Sequence, residues 1–199
     1  MSLKIWALKS SELKGMTRTG LLLFGCRCAM RVESWIPPKS SKLWMRGLGH
    51  VTSSIDSPID VRETEQLERD LSNCGAMASN QFSDTDEPRG QCMNYATQTL
   101  AMVVYATTIK DEKKLKKAII DTAKFSASIP AILAHANRFT APDGENPVDF
   151  ACVTMWDAIR SDIQTINDVS SSFITSRNRV NALRDLCDFG IMETFKSHE

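Results

Sequence analysis

The spacing of apolar side chains in the second half of the chain constrains the fold more than any other feature. From about residue 91 onward, apolar residues recur at intervals of three and four, which places them on one face of an α-helix. The longest such stripe comprises Cys152, Trp156, Ile159, Ile163, Ile166, Ser170, Phe173, Arg177 and Val180, and it is imperfect toward its end because Ser170 and Arg177 are polar. The 199 residues include only 9 Gly and 7 Pro, so few turns are marked. The sequence therefore predicts an all-α protein with an antiparallel helical bundle in its C-terminal half.

Capping residues and prolines divide this helical domain, residues 91–199, into four helices. The first is apolar on most faces. Asp111 caps the second helix, and Ser128-Ile129-Pro130 opens a short third one. Asn146-Pro147 opens the fourth, which we expect to end at Gly190.

Residues 51–90 are predicted to form an acidic helix followed by a loop. Ser57-Pro58 has the features of a helix start, and Cys74-Gly75 is a plausible stop. The stretch from residue 76 to residue 90 has the polar composition of an exposed loop.

Charge is distributed unevenly, although the formal net charge is zero. Residues 1–50 hold nine Lys and Arg against two acids, Glu12 and Glu33, whereas residues 51–90 hold three Arg against nine acids. Short helices are expected over residues 2–16 and 19–32, after which Pro37-Pro38 and several Ser and Gly keep the chain irregular. The first fifty residues are therefore predicted to form a partly irregular basic arm.

The arm is the candidate binding site, and two partners stay open. Basic groups neutralise phosphates and aromatic rings stack on bases, so nucleic acid is one partner. An anionic membrane surface is the other, with Trp at the interface and cations at the headgroups. Alternatively, the arm folds back and neutralises residues 51–90. The predicted site residues are Lys9, Lys14, Arg18, Arg27, Arg31, Lys39, Lys42 and Arg46, with Trp35 and Trp44.

A second basic cluster lies outside the arm. Lys113, Lys114, Lys116 and Lys117 occupy the early turns of the second helix of the bundle. Such a cluster is typical of a solvated helix face or of a phosphate-binding patch. Both interpretations stay open.

Catalytic chemistry finds no support in the motifs. No Gly-rich phosphate loop, H-E-x-x-H, C-x-x-C or G-x-S-x-G pattern is present, and nothing places His135 beside a cysteine. We predict no catalytic residue, no metal site and no cofactor, and we identify no small-molecule substrate. The six cysteines lie in apolar helical patterns, which favours free thiols in an intracellular reducing compartment over disulfides.

The leading functional hypothesis is a non-enzymatic helical protein that self-associates and contacts nucleic acid or an anionic membrane through residues 1–50. Small viral coat and matrix proteins are often built on this plan. The analogy concerns overall design, because no sequence motif of such a family is present. One alternative is an organelle-targeted helical protein, because the first 54 residues have the composition of a cleavable mitochondrial presequence. A small all-α enzyme of unknown chemistry is the other.

Overall fold

The computed structural model describes residues 8–138, 141–173, 180–181 and 183, and for residues 169–173 the backbone alone. No strand occurs in these residues, and the predicted all-α bundle is confirmed. Short 3₁₀ turns lie before α1 and between α1 and α2. The six α-helices are α1 (Arg18–Met30), α2 (Ser41–Ser53), α3 (Val61–Phe82), α4 (Glu87–Ala106), α5 (Glu112–His135) and α6 (Pro147–Phe173).

Helix α1 lies in the centre of the bundle. It packs against α2, α4, α5 and α6, and residues 20–30 are all buried. Gly25 permits a close approach, because a Cβ there would lie 3.0 Å from Ile119 Cδ1 and 3.1 Å from Val103 Cγ1. The structure thus corrects the expectation that residues 1–50 stand apart from the core. A helix with no polar face is stable only when it is surrounded by other elements.

Helix α2 occupies a segment for which the sequence predicted irregular chain. Trp44, Leu48 and Val51 recur at helical spacing and are buried. Gly47 faces α4, since a Cβ there would lie 2.7 Å from Leu100 Cδ2. Burial of this apolar side outweighs the weak helix propensity of the Ser and Gly residues around it.

Helix α3 does not stop at Cys74-Gly75, and the predicted loop over residues 76–90 is wrong. The helix begins after the Asp60 cap and continues to Phe82. A Cβ on Gly75 would lie 2.1 Å from Thr97 Oγ1 of α4. This glycine therefore serves the close contact of two antiparallel helices and does not terminate one of them.

Helix α5 continues through Pro130, so the predicted separate third helix is wrong. Ile129 and Leu133, on either side of the proline, are both buried in the core. Their packing offsets the loss of one backbone hydrogen bond, which costs about 3 kcal/mol in a helix interior. The Asp111 cap is confirmed, with its carboxylate accepting from Lys114 N at 2.7 Å.

Helix α6 begins where the sequence predicted, with Asn146 accepting from the backbone N–H groups that follow Pro147. The stripe from Cys152 to Ile166 is buried as expected. Its predicted continuation through Ser170, Phe173 and Arg177, and the stop at Gly190, lie outside the described side chains.

Candidate anion-binding surface

The ten residues predicted to bind an anion do not form one surface. Three lie before or at the start of α1, four lie on or beside α2, and three lie between these groups along the chain. The exposed ones are Lys9, Lys14, Arg18, Lys39, Lys42 and Arg46, and the others are Arg27, Arg31, Trp35 and Trp44.

Arg27 and Arg31 are interior residues, with only 2% and 3% of their surface exposed. Both bind Asp162 of α6, which is fully buried. Arg27 Nε donates to Asp162 Oδ1 at 2.7 Å, and its Nη2 donates to the same oxygen. Arg31 Nε and Nη2 donate to Oδ2 at 2.5 Å and Oδ1 at 2.8 Å. These two arginines hold α1 against α6, so their assignment to an external anion is corrected.

The two tryptophans also differ from the expectation of exposed stacking platforms. Trp44 is 1% exposed and lies on the buried side of α2. Trp35 is half-buried, and its indole N–H is inaccessible to solvent. The ring of Trp44 presents no open face on which a nucleic-acid base could stack, so its predicted stacking role is corrected by its burial.

Lys39, Lys42 and Arg46 lie on the solvent side of α2 or just before it. Arg46 Nη2 donates to Glu63 Oε1 of α3 at 2.8 Å, with both side chains about half exposed. An exposed pair of this kind adds little stability and partly neutralises the local charge. The carboxylate of Glu63 on α3 therefore lowers the net positive charge of this part of the predicted site.

Arg18 joins the start of α1 to the connection between α4 and α5. Its Nη2 donates to the Thr107 backbone oxygen at 2.5 Å, and its Nη1 donates to the Ile109 backbone oxygen. Carbonyl oxygens carry no formal charge, so the positive charge of this exposed guanidinium is not neutralised. The contact fixes Lys14, four residues earlier, at the same end of the bundle as the first turn of α5.

The lysines at the start of α5 differ in exposure and ion pairing according to their positions around the helix. Lys113, Lys114 and Lys117 differ by one, three and four positions and are exposed, as is Lys110 just before the helix. Lys116 differs, since it is only 16% exposed and pairs with Glu112 at 2.5 Å. We define the basic end as Lys14, Arg18, Lys110, Lys113, Lys114 and Lys117; none of these six forms an ion pair with a carboxylate of the described chain.

A polar depression of about 370 Å³ lies beside the basic end, between the start of α1 and the far end of α6. It is lined by Lys14, Gly15, Thr17, Gly20 and Asn167. Thr17 caps α1 by accepting from Gly20 N at 3.1 Å. The positive end of the α1 dipole thus adds to the charge of Lys14, and the depression is large enough for a phosphate group.

The cysteines offer no reactive centre in the described structure. Cys26, Cys28, Cys74, Cys92 and Cys152 are all free thiols, and only Cys74 is not buried. Burial raises the pKa of Cys26 and of Cys92 to about 12, which leaves them protonated and unreactive near neutral pH. Cys187 lies outside the described residues.

Within the described residues, no three His, Cys, Asp or Glu side chains are placed to hold a metal ion. None of the described helices combines the length and apolar character needed to cross a bilayer. Comparisons with protein-family models, curated proteins and solved structures find no match to this chain. Function therefore has to be inferred from the geometry of the chain itself.

Proposed function

We propose that this protein is a non-enzymatic helical protein that binds the phosphate backbone of nucleic acid through the basic end. The observation that carries the proposal is the Arg18 contact to the Thr107 and Ile109 backbone oxygens. It brings cations that are about 90 residues apart in sequence onto one end of the bundle. Cations that contact the phosphates of a polyanion release its counterions, which is the main source of sequence-independent affinity for nucleic acid.

The apolar surface of the described residues favours nucleic acid over a membrane. The large apolar side chains that are well exposed are Met45, Val61 and Met77 of α2 and α3, and Tyr105 at the end of α4. Binding in a membrane interface needs a continuous apolar face beside the cations. The basic end is defined by lysine and arginine, and Tyr105 in the last turn of α4 is the exposed aromatic side chain that the described residues place near it in the chain.

The organelle-targeting alternative fits this fold poorly. Cleavage of a presequence spanning the first 54 residues would remove α1 and α2, and with them the centre of the core. The enzyme alternative gains no support from the buried, protonated thiols.

The proposal is tested with a labelled single-stranded RNA of about 20 nucleotides, longer than the sites of typical single-strand binders. Fluorescence anisotropy gives Kd between about 50 and about 200 mM salt. The variant Lys113→Gln, Lys114→Gln, Lys117→Gln removes three charges from the basic end. We expect at least a tenfold weaker Kd, and a salt slope smaller by about 2, since each single-strand phosphate contact contributes about 0.7.

The matched control is Lys39→Gln, Lys42→Gln, Arg46→Gln, which removes the same charge from the side of α2. We expect it to bind within about twofold of wild type. Equal loss in both variants would assign the affinity to overall charge and contradict the proposal. Binding to anionic vesicles in the absence of RNA binding would also contradict it.

Self-association stays a prediction. Light scattering of the purified chain, with and without RNA, measures the mass of the particle directly. A mass equal to one 22.2 kDa chain under every condition would reject it.

A further inference from the structure

Helix α3 lies at the edge of the bundle and exposes one full side. It packs chiefly against α4 and also against α2. Its buried positions recur at intervals of three and four, at Thr64, Leu67, Leu71, Gly75 and Ala78. The opposite side of the helix is exposed and consists of Arg62, Gln66, Arg69, Asn73, Met77 and Asn80.

The second half of this outer side carries no charge. Residues 72–83 contain no Asp, Glu, Lys or Arg, although 24% of the whole chain is charged. The outward face of a surface helix normally carries charged residues as well as polar ones. Met77 lies in the middle of the uncharged run and is 72% exposed, more than any other large apolar side chain of the described residues. Depletion of charge around an exposed methionine is typical of the centre of a protein–protein interface.

Exposed charges of opposite sign lie at the two ends of the same side. Arg62 is in the first turn of α3, and Asp84 follows its last residue by two positions. Within the part of the chain that the structure describes, neither forms an ion pair. They cannot pair with each other in one chain, because the 22 residues of α3 span about 33 Å.

We propose that α3 packs antiparallel against α3 of a second copy of this chain, across a two-fold axis at Asn73. In a two-fold interface every contact occurs twice, and positions equally far before and after the axis face each other. Arg62 then faces Asp84 of the second copy, and Arg69 faces its Met77.

Charge selects a second copy of the chain as the occupant and fixes this register. Along the outer side, the arrangement sets a base against an acid at both ends and places no like charges opposite each other. Methionine and arginine, which meet in the middle, are both enriched in protein interfaces. Contact along a single helix buries less than the roughly 1,200 to 2,000 Å² of a stable complex, so we expect a weak dimer with a Kd of about 10 to 100 µM.

Sedimentation equilibrium of the full chain without RNA, from about 5 to about 500 µM, brackets this Kd. The mass should rise from one chain to two and stop there, because a two-fold contact closes on itself. Arg62→Asp sets an acid against Asp84, and Met77→Lys sets a base against Arg69; each should weaken Kd at least about tenfold. Combining Arg62→Asp with Asp84→Arg exchanges the two charges and should restore Kd to within about threefold of wild type.

The charge variants are expected to fold, because an acid near the start of a helix and a base near its end both suit the helix dipole. Circular dichroism checks this for each protein. The matched control is Lys124→Asp, which makes the opposite charge change at a half-exposed position of α5 and should keep the wild-type Kd.

Three results would overturn the proposal. A mass of one chain at every concentration would leave the outer side of α3 to a different molecule. Growth beyond two chains would exclude a closed two-fold contact. Failure of the exchanged pair to restore association, or equal weakening by Lys124→Asp, would remove the contact between Arg62 and Asp84. Because RNA is absent from these measurements, their outcome is separate from that of the RNA-binding test.

Discussion

Replacing Asp162 with asparagine tests whether the buried cluster stabilises the packing of α1 against α6. The substitution keeps the size of the side chain and one acceptor oxygen, but it removes the carboxylate charge that Arg27 and Arg31 share. Arg27→Met is the informative comparison, because it removes one of the two guanidinium groups and leaves the pair of Arg31 with Asp162.

The magnitude follows from the contacts. Asp162 accepts four N–H bonds from the two arginines, and charge-assisted bonds contribute about 1.5 to 3 kcal/mol each. Their full sum overstates the loss, since asparagine still accepts at one oxygen. Removing one partner of a buried ion pair costs about 3 to 5 kcal/mol, and we expect about 4 kcal/mol for Asp162→Asn. Arg27→Met should cost no more than about half as much, because a balanced pair remains.

Urea unfolding followed by circular dichroism measures the free energy of unfolding of each variant. For a chain of this size, a loss of about 4 kcal/mol lowers Tm by about 8 to 16 °C. The control is Asp157→Asn on the same helix. Asp157 is 69% exposed and lies 3.5 Å from Arg160 Nη1, so its replacement should change the unfolding free energy by at most about 0.5 kcal/mol.

Two results would refute this reasoning. If Asp162→Asn cost less than about 1 kcal/mol, the charges would be solvated and the cluster would not be interior. If Arg27→Met cost more than Asp162→Asn, the packing of the arginine stem would outweigh the charge balance.

Two further substitutions test the helix contacts and the surface. Gly75→Ala should destabilise the fold by about 1 to 3 kcal/mol, because its Cβ would lie 2.1 Å from Thr97 Oγ1. Gly49 has open space around it, so Gly49→Ala should stabilise the fold by up to about 1 kcal/mol in the same urea assay. The hydrogen bond from Arg138 holds the pKa of Asp86 below its ordinary value of 3.8, so Asp86 stabilises the fold above that pH. The stability difference between wild type and Asp86→Asn should therefore shrink as pH falls below 3.8, and a pH-independent difference would contradict the assignment.

The sequence predicted the helices whose boundaries and burial depend on nearby residues. The start of α6 and the cap of α5 were read from local capping patterns, and the buried stripe of α6 was read from its spacing. These signals are local because capping and amphipathic spacing act within a few residues. The structure confirms them within the described residues.

The errors arose where a distant contact decides the outcome. Gly75 resembles a helix stop in the sequence, yet it is required by Thr97 on the neighbouring helix. Pro130 resembles a helix start, yet packing of Ile129 and Leu133 carries α5 through it. In a helix interior, glycine costs about 1 kcal/mol and proline about 3 kcal/mol relative to alanine. The free energy gained by burying a few apolar side chains can exceed these costs.

The residues of the basic end lie in separate segments of the sequence, before and at the start of α1 and around the start of α5. The sequence indicates a lysine cluster at the start of α5 that fits either a solvated helix face or a phosphate-binding patch. Their spacing separates the outward Lys113, Lys114 and Lys117 from Lys116. Nothing local indicates that Arg18 reaches the Thr107 and Ile109 backbone oxygens, because that contact depends on how α1 enters the bundle.

The buried arginines show how a charge count should be corrected before it is used to infer a partner. Residues 20–30 have no polar face, and a helix of that kind is buried on all sides. Arg27 lies within this stretch and Arg31 follows one helical turn later at the end of α1, and both bind Asp162, which lies between the buried Ile159 and Ile163 of α6. The sequence predicts an external role for both arginines, because 135 residues separate Arg27 from Asp162 and only the packing of the helices pairs them. Once such interior cations are set aside, the exposed cations form two groups, one at the start of α1 and along the first turns of α5 and one on the solvent side of α2. The binding experiment compares these two groups.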